Sequence, residues 1–210
     1  MTEQMGVFDV MHNCRAMRRL SSAPVPEATL LKLVDAAIQA ATGSNKQGAR
    51  WIIVRDAGQK QRIADLNRAA SEALVKGRIE RAEALAHHDS ATRGRMLNAV
   101  LWLADHMHEV STLMVPCHQF EGPPSAEDMC GAGSSVWPGV QNLLLAARAE
   151  GLGAVLTTYS LTDYDAFAKV LDLPDDMAAF GLIPVGYPMG KFGPVTRLPI
   201  DQVTRFDRWS

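Results

Sequence analysis

Apolar positions along the chain alternate between helical spacing and short β-prone runs. Val7 to His12 has mixed helical spacing and leads into the basic stretch Cys14 to Leu20. Ser21 to Pro26 is a break rich in turn residues, and Pro26-Glu27 supplies a helix start. Leu30, Leu31, Leu33, Val34, Ala37 and Ile38 then recur at amphipathic-helix intervals until Thr42-Gly43-Ser44-Asn45 interrupts them. Trp51 to Val54 reads as a buried strand. Residues 57–96 read as charged helix, and Ala99 to Met107 as an apolar one. Thr112 to Val115 predicts a second strand, and Gln119 to Met129 a loop without regular period. Ser134 to Gly151 is apolar nearly all round and predicts a helix buried on several sides, with Ser134 or Ser135 as its cap. Gly151-Leu152-Gly153 closes it. Ala154 to Thr157 predicts a third strand, Asp163 to Leu171 a short helix and Ala179 to Val185 a fourth strand. The segment from Met189 to Ser210 is rich in proline and charge, with little core signal.

Strands separated by helices predict an α/β sandwich. The helix-first order and the long helical stretch between strands one and two depart from the even alternation of a doubly wound nucleotide-binding sheet. No repeat or linker divides the chain, so residues 1–210 are expected to form one domain. Within it, 57–130 would be a variable insert or lid, and 189–210 a C-terminal extension.

Composition narrows the function classes. The 210 residues are 47% hydrophobic and 21% charged with formal net charge −2, a globular balance without the basic excess of a nucleic-acid domain. No apolar run is long enough to cross a membrane, and Met1 to Met5 carries neither a basic flank nor an apolar signal core. The three cysteines, Cys14, Cys117 and Cys130, lie far apart, as reduced thiols do, and a cytoplasmic protein is expected. Lysine and arginine cluster between Arg55 and Arg95, whereas between positions 97 and 160 only Arg148 occurs. Such a charged run is most simply a solvated helix face, with a mobile cover over a site as the other reading.

Five groups of residues could carry chemistry. Arg15, Arg18 and Arg19 offer the forked donors and positive charge a phosphate needs, or else an exposed basic face. Thr42 to Gln47 could aim hydroxyl, amide and backbone donors at a heterocycle, or simply form a connector. Gly131-Ala132-Gly133 lacks the third glycine or lysine of a nucleotide loop. His87, His88, His106, His108, Cys117 and His118 do not show zinc-ligand spacing, and no metal site is expected. Thr157 and Thr158 end a predicted strand, where hydroxyls can meet a ligand or serve only strand propensity.

In this order the pieces resemble the FMN-dependent nitroreductase family over about residues 7–203. The carrying motifs are Cys14-Arg15-Ala16-Met17-Arg18-Arg19-Leu20 before Pro24-Val25-Pro26, and Ala40-Ala41-Thr42-Gly43-Ser44-Asn45-Lys46-Gln47. They continue with Gln141-Asn142-Leu143-Leu144-Leu145-Ala146-Ala147 before Gly151-Leu152-Gly153, then Pro184 to Pro188 and Arg197 before Pro199. The resemblance implies a three-layer α/β (α+β) sandwich with a central, mostly antiparallel mixed sheet flanked by helices. It implies FMN at the interface of an intertwined homodimer. Arg15, Ala16, Met17, Arg18, Arg19 and Arg197 would then surround its phosphate and ribityl chain. Thr42, Ser44, Asn45 and Gln47, from one or the other subunit, would face the flavin edge, and Leu156, Thr157 and Thr158 the reactive side of the ring. Two positions depart from the pattern: Cys14 stands where the family often has arginine, and Ala16 where it often has serine, so other arginines must carry more of the phosphate. Gln47-Gly48-Ala49 lacks the family's aromatic, and Ser135 to Pro138 precedes the predicted central helix, with Trp137 either lining a pocket or packing at the helix entry.

The implied activity is a ping-pong oxidoreductase. NADH or NADPH would reduce the flavin, which would then reduce an electron-poor small molecule such as a nitroaromatic or quinone, with no side-chain nucleophile or metal required. The alternatives are a flavin-binding or storage protein without turnover, a member that dehalogenates or fragments flavin, and a metal-binding module built on the histidines and cysteines.

Overall fold

The structure is a computed structural model that describes residues 5–80 and 90–209. Short helix α1 (Val7–Asn13) is followed by α2 (Glu27–Ile38), whose first turn is led by Pro26. Strand β1 (Ala49–Val54) precedes α3 (Ala57–Glu80) and α4 (Ser90–His106), which flank the undescribed stretch. Then come β2 (Thr112–Gln119), α5 (Ala126–Ala149), β3 (Gly153–Ala154), α6 (Tyr164–Val170), β4 (Met177–Ala179), β5 (Ile183–Gly186) and α7 (Ile200–Val203).

The strands form one sheet in the order β1-β2-β5-β3, with β4 also paired to β2. Every strand pairing among the described residues is antiparallel, so the expected sheet is present without a parallel component here. Side chains alternate across a strand, and β2 shows this clearly. Met114 belongs to a core with Leu30 and Leu33 of α2 and Val140 and Leu143 of α5. Leu113, Val115 and Cys117 belong to a second core with Ile63 of α3 and Phe167 of α6. The sheet is thus the middle of three layers, as expected.

Several element boundaries differ from the sequence reading. The buried helix starts at Ala126, inside the predicted loop, because Ser125 caps it: Asp128 N–H donates to Ser125 Oγ and Ser125 N–H donates back to the Asp128 carboxylate. Ser134 and Ser135 therefore lie within the helix. Ser134 Oγ donates to Gly131 O, Ser135 Oγ accepts from Gly43 N–H, and Pro138 is internal. The predicted fourth strand is two strands, β4 and β5, with Gly181 between them where a Cβ would stand 2.6 Å from Leu156 Cδ1. The predicted third strand is confined to Gly153–Ala154, and the chain rejoins β5's neighbourhood only through a Thr157–Leu182 bridge. Over 57–107 the described residues form α3 and α4; α4 runs through the predicted division near 97, and residues 81–89 of the predicted charged helix lie outside the described residues.

Two close approaches bring distant segments together. α5 meets α2 at Gly139, where a Cβ would lie 3.0 Å from Ala37 O. The segment after β5 runs antiparallel to the end of α1 and the segment that follows it. Ser21 N–H donates to Tyr187 O, Met189 N–H to Arg19 O and Val195 N–H to His12 O.

Candidate functional site

The basic segment after α1 is extended, and its arginines go to three places. Arg15 donates to Lys191 O at 3.4 Å. Arg19 reaches toward the Trp102 ring on α4, 5.9 Å from its centroid. Arg18 enters a cavity of about 310 Å³ lined also by Asn67, Ser71, Leu156, Thr157 and Tyr159, with Thr158 at its edge. Of the other two predicted residues here, Met17 is buried in the second core with its N–H donating to Ala154 O, and Ala16 is exposed.

This cavity is formed where β3 leaves the sheet. The bridge between Thr157 and Leu182 holds the strand end, after which the backbone turns at Thr158–Tyr159. The opposite wall is α3. Helical periodicity puts Ala64, Asn67, Ser71 and Val75 on one inward stripe, all buried. Asn67 is only 2% exposed; its Nδ2 donates to Ser71 Oγ at 3.3 Å, while its Oδ1 is buried without a partner. An orphaned buried carbonyl costs free energy and marks a place where a ligand could complete the set. Arg18 is half-buried, and no hydrogen bond or ion pair holds its guanidinium among the described residues. Burial pulls its pKa below the usual arginine value, opposed by the neighbouring Tyr159, and it stays cationic. The cavity therefore offers one cation, one amide carbonyl and several hydroxyls to a planar polar ligand.

Sequence reasoning missed Asn67 and Ser71. Their signal is two small polar side chains interrupting the inward stripe of a helix whose charges lie elsewhere.

Thr42 to Gln47 lies elsewhere. Ser44, Asn45 and Gln47 adopt positive φ, and the loop is tied by Gln47 N–H to Thr42 Oγ1 and by Gln47 Nε2 to Asn45 Oδ1. Gly43 N–H fastens it to Ser135 of α5. Two adjoining hollows of about 570 and 450 Å³ flank the loop and share Lys46, Gly48, His118, Phe120 and Asp128. Gly48 is in contact with the His118 ring, which leaves no room for a side chain. Burial, then the Arg50 charge, lowers the His118 pKa, with a lesser push from Lys46 and opposition from the Gln119 backbone. One chain thus places Arg18, Leu156, Thr157 and Thr158 together and leaves Thr42, Ser44, Asn45 and Gln47 apart from them.

The remaining predicted cation, Arg197, is exposed and donates to its neighbour Thr196 O. It lies close enough to Cys14, together with Arg148, to offset part of the rise that burial imposes on that thiol. Trp137 meets Phe180 edge-on at 5.8 Å rather than lining either site.

The histidines go separate ways. His106 stacks on Trp102, His108 faces Glu109 and His118 tilts on Phe120. His87 and His88 lie outside the described residues. Among the described residues no group of three or more histidine, cysteine, aspartate or glutamate side chains could hold a metal ion, and no helix is long and apolar enough to cross a membrane.

Comparison with known proteins adds three findings. The model of the nitroreductase family matches residues 13–187. Among curated relatives, iodotyrosine deiodinase of Thermotoga neapolitana is 26% identical over 185 residues, covering 87% of this chain and 88% of that protein. NADH dehydrogenase of Thermus thermophilus is 30% identical over 201 residues, covering 90% of each. Among solved structures, oxidised iodotyrosine deiodinase bound to FMN and 3-iodo-L-tyrosine superposes with a TM-score of 0.74 at 22% identity, over 97% of this chain and all of that one (100%). Nitroreductase A of Vibrio parahaemolyticus gives 0.73 at 18% identity, covering 98% and 77%.

Proposed function

This chain belongs to the nitroreductase family, and from that membership we propose that it is an FMN-dependent oxidoreductase that takes reducing equivalents from NADH or NADPH and delivers them to an electron-poor small molecule in a ping-pong cycle. The observation that carries the reading is the cavity in which half-buried Arg18 and the orphaned Asn67 Oδ1 meet Thr157 and Tyr159. These residues fit a flavin. A flavin ring needs a cation and hydrogen-bonding groups along its polar edge and an apolar bed, and Val100, Leu103 and Leu156 line the same space.

When bound, FMN supplies the redox chemistry. The chain binds and orients it. Arg18 places positive charge where reduction makes the ligand more negative. Asn67 and the Thr157 and Thr158 hydroxyls fix its orientation, and Arg15 and Arg197 hold the phosphate end. Residues from α3 and α4 wall the cavity against water and act as a lid that selects the acceptor.

The Thr42–Gln47 loop completes the site from a second copy of the chain, in a homodimer. The exposed apolar side chains Phe8, Ile200, Phe206 (92%) and Trp209 supply surface for such an assembly. A second reading, reductive dehalogenation of an aromatic substrate, draws on the Thermotoga relative.

The test is the absorbance of the purified protein, reconstituted with FMN if colourless, followed by anaerobic addition of NADH or NADPH. Bleaching, then recovery on adding a quinone or nitroaromatic, is the expected result; recovery with an iodophenol and release of iodide would favour the second reading. A flavin spectrum that neither nucleotide bleaches would leave a flavin-binding protein without turnover.

A further inference from the structure

Arg148 is the lone cation in a stretch of more than sixty residues by sequence numbering, and the fold places it in the last turn of α5 beside Cys14. The Cys14 thiol donates to Leu144 O, one turn back along α5, so both residues share one face of that helix. The Arg148 guanidinium lies 4.0 Å from the centroid of the Phe192 ring. Its Nε is buried with no hydrogen-bond partner. No carboxylate pairs with Arg15, Arg148, Lys191 or Arg197 among the described residues.

The antiparallel contacts between residues 12–21 and 187–195 bring the arginines of the two segments toward the end of α5. They bring Lys191 O to Arg15 and place the following segment, with Arg197, against Cys14. An arginine with a purely structural role is ordinarily paired through its planar N–H groups, because burying them unpaired is costly. Arg148 instead uses the face of its guanidinium on Phe192 and leaves the in-plane donors unengaged. Stacking of this kind holds the plane in place and presents the donor fork. Three arginines without a counter-ion, Arg15, Arg148 and Arg197, one of them held this way, suit a dianion with several acceptor oxygens.

We propose that Arg148 is a phosphate-binding residue, recognising the phosphate monoester of the flavin together with Arg15 and Arg197, and that it supplies from α5 the charge that Cys14 does not supply from the basic segment. The inference rests on the flavin reading and deepens it. Phe192 is then a positioning residue, since it touches the guanidinium and not the ligand.

Apoprotein is titrated with FMN and with riboflavin, which differ by the phosphate alone, and binding is read from quenching of flavin fluorescence. Wild type should bind FMN far more tightly. Arg148→Met should weaken FMN at least tenfold and leave riboflavin within twofold, so riboflavin also reports that the variant is folded. Cys14→Arg added to Arg148→Met should restore most of the FMN affinity by returning a guanidinium from the other side. An unchanged FMN affinity in Arg148→Met, or an equal loss for both ligands, overturns the assignment while the flavin reading stands. Wild-type protein that binds neither ligand overturns the flavin reading and this inference with it.

Discussion

Asn67 donates its amide N–H to Ser71 Oγ one turn further along α3, and this leaves Asn67 Oδ1 buried and unsatisfied at the wall of the cavity. The pair is fixed by the helix alone, so the orphaned carbonyl is held in one place before any ligand arrives. A preorganised acceptor of this kind favours the bound state and burdens the empty one.

Asn67→Leu should therefore separate stability from binding. Replacing a buried unsatisfied amide by an apolar side chain of similar volume removes a penalty of about 1–3 kcal/mol, less the lost bond to Ser71. The apoprotein should melt at a higher temperature, and FMN affinity should fall by about tenfold, the worth of one hydrogen bond near the top of its range. A variant with unchanged FMN affinity would remove Asn67 from the site.

Arg18→Met should weaken FMN and riboflavin alike, in contrast to Arg148→Met. In the proposed site the group lost serves the ring end rather than the phosphate that the resemblance implies, and one charge-assisted contact is worth roughly 1.5–3 kcal/mol, about ten- to more than a hundredfold in affinity. The variant should also show a lower flavin midpoint potential, because less positive charge faces the reduced form. Fluorescence titration and an anaerobic redox titration check the two outcomes; selective loss of FMN over riboflavin would move Arg18 to the phosphate end.

Acidification should destabilise the protein through His118. Its pKa is depressed in the fold by burial first and Arg50 next, whereas in the unfolded chain it titrates near 6.5. The unfolded state binds the extra proton between the two values, so this contribution is fully present above the unfolded pKa and falls as the pH drops through it. Denaturant unfolding of wild type and His118→Gln between pH 8 and about 5 should show the steeper loss in wild type. Parallel curves would show that the imidazole titrates alike in both states.

Ser125→Ala should cost about 1 kcal/mol of stability, the usual worth of an N-cap. It should also remove part of the acid sensitivity. Asp128 has a depressed pKa because the Ser125 hydroxyl, then the Ser125 N–H, donate to its carboxylate. That stabilisation is present above the unfolded pKa and lost as the pH falls through the folded one. Thermal melts of both proteins at neutral and acid pH measure it.

The layered architecture was legible from periodicity, because α2, β1 and β2 each put a single clear pattern into the chain. The motif around Arg18 and the threonines at 157 and 158 were legible as chemistry and do meet in space. The Thr42–Gln47 loop was legible as a loop, but its distance from Arg18 depends on the sheet order, which no local pattern encodes. The start of α5 was hidden because Gln119 to Met129 shows no regular period and reads as a loop; the signal that decides it is the Ser125–Asp128 capping pair. Gly181 looked like a strand interior because the Leu156 side chain that needs its missing Cβ is distant in sequence. Arg148 stood out in the sequence by its isolation, yet only Phe192 and Cys14, from opposite ends of the chain, give that isolation a meaning.

The pairing of residues 12–21 with 187–195 also bears on how the protein comes into being. Arg15 meets Lys191 across 176 positions of sequence. Contacts so distant form late, since the intervening chain must first be closed into a loop. During synthesis, α2, β1 and β2 can assemble while the partner of the first basic segment does not yet exist. A nascent chain, or one truncated before position 187, would hold most of its apolar core but lack the partner of its first basic segment, so on the proposed reading cofactor loading would follow completion of the polypeptide rather than guide it.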